Sequence, residues 1–138
     1  MASMEAGEAG MEVARPVRRV LELRARGFVT RDAHLRGLRE ADALLARDPG
    51  LDTVVWTTVE HDGHDPANVS DAIAWMRRHP GRFRRLALVA RSTQILALGT
   101  VGRVLFPDLS IAVFGRRDEA FAWAARSARG SRRAASVG

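Results

Sequence analysis

Between Val17 and Ala25 the chain reads VRRVLELRA, which puts Leu21, Leu23 and Ala25 on one side of an extended segment and Glu22, Arg24 and Arg26 on the other. Alternation with a period of two is the mark of a strand packed on one face and wet on the other, and it predicts a strand near a sheet edge. Gly27 reads as a turn or bulge, and Thr30 is placed to cap a helix. The spacing of Leu35, Leu38 and Leu45 carries that helix to about Arg47, where Asp48-Pro49-Gly50 ends it. LDTVVWTTV (51–59) is apolar on both faces through Val54, Val55, Trp56 and Val59, and so predicts a central strand covered on both sides. The polar run EHDGHD reads as a loop. After it, Asp65 stands as a cap and Pro66 at the first position of a helix striped by Val69, Ala72, Ile73 and Met76, which His79-Pro80-Gly81 stops.

LALVA (86–90) and LSIAVF (109–114) are short, dense in Leu, Val and Ile, and flank a helical segment. A strand, a helix and a strand within about thirty residues make the unit of a parallel sheet, because antiparallel neighbours need only a tight turn. Gly115 breaks the last strand, and Asp118 can cap a final helix with Phe121, Ala125 and Ala128 toward the sheet. The order is strand then helix, four times over, with right-handed crossovers expected. The fold class is α/β: a single small domain with a mainly parallel sheet of four to five strands and helices packed on it. Residues 1–14, small and acidic without periodicity, read as a mobile leader; 15–129 form the domain, and 130–138 (GSRRAASVG) a basic flexible tail.

A length of 138 residues supports one domain with a real core and is too short for two ordinary ones. The chain has no cysteine, which removes disulfides, thiolate zinc sites and thiol nucleophiles and suits a cytoplasmic setting. No apolar run approaches the roughly 20 residues that span a bilayer, and MASMEAGEAGMEVA has neither the basic region nor the apolar core of a signal peptide. The net charge is +6, and all 22 basic residues are arginine. They cluster at Arg77, Arg78, Arg82, Arg84 and Arg85, at Arg116 and Arg117, and at Arg126, Arg129, Arg132 and Arg133. Such groups attract phosphate, acidic protein or anionic lipid; the other reading is a solvated surface.

Ligands of open parallel sheets collect beyond the carboxyl ends of the strands. That points to Thr58–Asp65, Arg91–Thr93 and Gly115–Asp118. Arg91, Ser92 and Thr93 join a cation and two hydroxyls to a helix start, which favours an anion, with Arg116 and Arg117 on the same rim. The alternative is that Ser92 only caps the helix. His61 and His64, among Glu60, Asp62 and Asp65, are metal-ligand types, but no further histidine cluster completes a shell. Neither Gly-x-Ser-x-Gly nor a phosphate loop ending in Gly-Lys occurs, so no catalytic residue, metal or cofactor is expected. Gly99, Thr100 and Gly102, followed by Arg103, spell the Gly-x-x-Gly with which KH domains clamp a nucleic-acid backbone; the alternative is close packing of a helix on the sheet. Trp56, Trp75 and Trp123 read as packing residues rather than a stacking platform.

The order of elements, together with PGRFRRLALVA, the STQIL helix, LFPDLSIAVFG and the closing DEAFAWA, resembles the SpoIIAA-like branch of the STAS domains over residues 17–126. Those are small α/β modules also compared with lipid-carrying CRAL-TRIO domains. The resemblance implies a non-enzymatic role, docking to a regulatory protein partner or holding an apolar or anionic ligand, here through the rim of Arg91, Ser92, Thr93, Arg116 and Arg117. A nucleic-acid-binding domain built on the Gly-x-x-Gly is the alternative. Phosphorylatable anti-sigma-factor antagonists carry an Asp-Ser-Ser-Gly-like segment after a central strand. Here that region is EHDGHDPANVSD, and Ser70, the nearest hydroxyl, falls inside the helix, so the family's phosphosite is not transferred to it.

Overall fold

Strands that follow one another in the chain lie side by side in the sheet. In the computed structural model, which describes residues 9–91 and 93–126, the spatial order is β1 (Gly10–Val17), β2 (Val20–Val29), β3 (Thr53–His64), β4 (Arg85–Val89) and β5 (Ser110–Phe114). β1 is antiparallel to β2, and β2 through β5 are parallel, so LALVA and LSIAVF run the same way, as their separation predicts. The connecting helices are α1 (Arg31–Arg47), α2 (Ala67–Arg77) and α3 (Thr93–Leu105), and α4 (117–126) follows β5.

A sheet extended along one edge by crossovers of one hand gathers its helices on one face. Leu38, Ala41 and Leu45 of α1 and Trp75 and Met76 of α2 pack there with Leu21, Leu23, Val54, Leu86 and Ile111. α3 comes down on the same face above β5: a Cβ at Gly99 would stand 2.9 Å from Val113 Cγ2, and one at Gly102 2.9 Å from Ile111 Cδ1. Gly99, Thr100, Gly102 and Arg103 therefore lie within α3, not on a loop between helices, and Arg103 donates to the Ile111 carbonyl. The nucleic-acid clamp is replaced by close helix packing. On the opposite face Ala120 and Ala124 of α4 meet Val20, Val55, Ala87 and Val89.

Thr30 caps α1, its hydroxyl accepting from the Ala33 N–H at 3.2 Å. Arg82 closes the other end, donating to the carbonyls of Leu45, Asp48 and Leu51. Arg85 is buried beside Asp52 and Thr53. Two members of the first arginine cluster are thus spent on internal carbonyls and an internal carboxylate rather than on a solvated patch.

Three expectations are corrected. Residues 10–14 belong to strand β1, so the leader reading does not hold there; Met11 and Val13 pack toward the core while the backbone pairs with β2. EHDGHD is not a loop: β3 runs on to His64 because β2 also continues, past a bulge at Gly27 with φ of 58°, and Arg26 to Val29 pair with Glu60 to His64. On α4 the buried alanines are Ala120 and Ala124, while Ala125 is exposed. Ser92, Ala128 and the 130–138 tail lie outside the described residues. Among the described residues no helix is long and apolar enough to cross a membrane.

Candidate functional site

β3 and β4 send Trp56, Thr58, Leu86 and Leu88 to the face that carries α1, α2 and α3. The two glycines draw α3 down over β5, while α2 turns its largest side chain, Trp75, toward α1. The stripe left on α2 toward α3 is Val69, Ala72 and Ile73, all only half-buried. What remains between α2 and α3 is a pocket of about 160 Å³ with walls that are almost wholly hydrocarbon. Leu98, Val101 and Leu105 form its α3 side.

The polar atoms in this lining are few. Asn68, at the start of α2, is 4% exposed; its Nδ2 donates to the Val29 carbonyl at 3.0 Å, which fixes the amide, since that carbonyl can only accept. Its Oδ1 has no partner among the described residues. His34, on the first turn of α1 and 3% exposed, lies flat against Trp56 with ring centroids 5.9 Å apart, and its Nε2 is likewise without a partner. Thr58 donates its hydroxyl to the Val89 carbonyl. His61 Nε2 and His64 Nδ1 share a hydrogen bond of 2.9 Å. Among the described residues no group of three or more His, Asp or Glu side chains could hold a metal. No arginine is in the described lining.

Burial, as the largest cause, holds His34 below its ordinary value of 6.5 and does the same for His61, with the charge of His64 adding to both. Both rings then favour the neutral form in the folded protein. As pH falls, the unfolded chain takes up protons at these positions before the folded one does, so the stability they contribute is full above about 6.5 and declines as pH drops through it. The melting temperature is expected to fall between about pH 7 and about pH 5, and less steeply in His34→Phe, as calorimetry at stepped pH would show.

The sequence-derived rim assembles only in part. Arg91, just past β4, and Thr93, the first residue of α3, are exposed. Arg116, just past β5, is exposed and pairs with Asp118 at 3.0 Å. Arg117 is not available in the same way: it forms two 2.7 Å bonds to Glu22 and lies over the Phe121 ring at 4.7 Å, on the α4 face. Ser70 is exposed inside α2, its hydroxyl donating to the Ala67 carbonyl. The pocket itself was missed. A sequence signal for it was a polar residue, His34, on the buried face of a helix whose other buried residues are Gly37, Leu38, Ala41 and Leu45.

A profile of the SpoIIAA-like family matches residues 20–125. The chain belongs to the SpoIIAA-like family. No curated protein matches the sequence. Among solved structures, an uncharacterized DUF3478-family protein with a SpoIIAA-like fold from Shewanella loihica PV-4 superposes with a TM-score of 0.67 at 18% identity, covering 88% of this chain and 98% of that one. The anti-sigma factor antagonist SpoIIAA in its unphosphorylated form gives 0.64 at 15% identity over 83% of this chain and 97% of its own. The Bacillus cell fate determinant SpoIIAA in its phosphorylated form gives 0.63 at 16% identity over 83% and 99%. At these identities the likeness is one of fold. Neither the phosphorylation segment nor an equivalent serine at the α2 cap is present in this member, where Asp65 accepts from the Ala67 N–H instead.

Proposed function

We propose that this SpoIIAA-like protein is a non-enzymatic regulatory module that takes a small apolar molecule between α2 and α3 and docks to a partner protein through the exposed rim of Arg91, Thr93 and Arg116. The observation that carries the reading is the pocket: about 160 Å³ of hydrocarbon-lined space above the sheet, between α2 and α3. Cavities of about 150 Å³ with such walls take up benzene. The rim stands at the end of the sheet where Asn68 and His64 also lie, because β3, β4 and β5 are parallel, so a bound molecule and a docked partner would share neighbouring elements. The kinship to an anti-sigma factor antagonist, a regulator by name, supports the regulatory half.

The test is a benzene titration followed by NMR of the methyl groups of Ile73, Leu98 and Val101. Saturable shifts confined to these groups are expected, and they should vanish in Ala72→Phe, whose ring fills the space. Absence of saturable shifts, or binding unchanged in Ala72→Phe, overturns the pocket assignment.

A further inference from the structure

We infer that the outer edge of β5 is a docking site for an extended, acidic segment of a partner protein, which adds a strand to the sheet and meets Arg103 with a carboxylate. The inference deepens the docking half of the proposed function, since the rim residue Arg116 directly follows this edge, and it does not rest on the pocket.

The two edges of the sheet differ in how they are defended. β1 carries Glu12, Arg15 and Pro16 and breaks register between Ala14 and Val17, and charge, proline and irregularity all keep an edge from pairing. β5 has none of these. Its sequence SIAVF is uncharged and without proline, it pairs with β4 in unbroken register, and no strand lies beyond it among the described residues. The Ser110 N–H donates to the Arg84 carbonyl, and the Ala90 N–H donates to the Phe114 carbonyl, both at 2.9 Å. Because backbone groups alternate along a strand, Ser110, Ala112 and Phe114 face β4, and Ile111 and Val113 turn their N–H and C=O groups outward. Arg103 of α3 meets one of these outward groups, donating to the Ile111 carbonyl at 3.2 Å.

Arg103 decides the kind of partner. It is exposed and has no carboxylate partner among the described residues. A carboxylate offers a guanidinium two parallel charge-assisted bonds, more than a single carbonyl gives it. An incoming strand whose N–H takes the Ile111 carbonyl displaces the guanidinium, and an Asp or Glu on that strand takes it up. A second copy of this chain fits less well. Antiparallel pairing of two β5 strands about Ala112 would form the same backbone bonds, but it would set the two Ile111 positions, each with its Arg103, about 8 Å apart. The net charge of +6 on each chain opposes that approach and favours an acidic partner.

The experiment selects binders of the full chain from a random library of displayed peptides about twelve residues long and titrates the synthesised peptides by NMR. They are expected to be rich in Asp and Glu, to slow amide hydrogen exchange at Ile111 and Val113, and to bind more weakly as salt is added. Val113→Pro removes an outward N–H without touching the ladder to β4, and should weaken binding about tenfold or more. Arg103→Glu should weaken it about tenfold as well. Should Val113→Pro fail to fold, Arg103→Glu and the exchange rates of Ile111 and Val113 decide. Selected peptides without acidic residues overturn the charge assignment. Binding lost in Arg91→Ala/Arg116→Ala but kept in Val113→Pro and Arg103→Glu overturns the edge and leaves docking at the rim intact. Sedimentation showing dimers of the chain alone, with Ile111 and Val113 protected, overturns the acidic partner in favour of a second copy. Failure to select any binder overturns edge and rim together.

Discussion

Trp75→Ala is expected to lower stability by about 3–5 kcal/mol, as for other large aromatic truncations in a packed core. The side chain is 0% exposed. It meets Trp56 edge to face at 6.3 Å and lies 5.4 Å from the Phe83 ring. Its indole N–H donates to Asp42 Oδ1 at 2.7 Å, and His79 Nε2 donates to the same oxygen at 2.9 Å. One residue thus joins α1, α2, the turn after α2 and the sheet. Against the roughly 5–15 kcal/mol typical of a domain, a loss of this size leaves little reserve. Urea unfolding measures it. Trp75→Phe should cost less, about 1–3 kcal/mol, because most of the volume remains and Asp42, 40% exposed, can turn to water. Equal losses in the two variants would show that the hydrogen bond, and not the packing, holds α2 in place.

Arg117→Ala is the second large effect. Glu22 has only 4% of its side chain exposed, and its oxygens are met by Arg117 and by the Thr57 hydroxyl at 2.6 Å. Removing the guanidinium leaves a buried carboxylate without a cation. For fully buried pairs that costs about 3–5 kcal/mol. Arg117 itself is 39% exposed, which lets water reach part of the pair, so about 2–3 kcal/mol is expected. Glu22→Gln in the Arg117→Ala background should recover much of the loss, since a neutral amide still accepts from Thr57. The result also bears on the rim. Loss of stability with no recovery by Glu22→Gln would mean that the loss comes from the stack of Arg117 on Phe121 within α4 rather than from the unpaired charge of Glu22.

The elements with buried side chains on one or both faces could be read directly: β2 from its alternation, although its face expected to be wet is partly covered by α4 and buries Glu22, β4 and β5 from their density of branched residues, α1 from its leucines and its threonine cap. What escaped was structure held by backbone pairing. β1 contributes only Met11 and Val13 to the core, and its hydrogen bonds come from β2, which leaves no trace in side-chain chemistry. The end of β3 has the composition of a turn, yet β2 offers it a partner on the far side of the Gly27 bulge. The phase of α4 was off by one because an alanine-rich helix carries little contrast between its faces. The α2 stripe was legible as a face, and Gly99 and Gly102 as sites of close approach. That the stripe borders empty space depends on how far α3 leans toward β5, a distance across the sheet that local patterning does not encode.

A sheet whose neighbours in space are also neighbours in the chain never requires a strand to wedge between two others. Each new strand meets a partner made earlier, so assembly can proceed by accretion as the polypeptide leaves the ribosome, and its loop closures stay short. The same economy leaves the growing sheet with an open edge at every stage, and that edge passes in the end to Ser110–Phe114 itself.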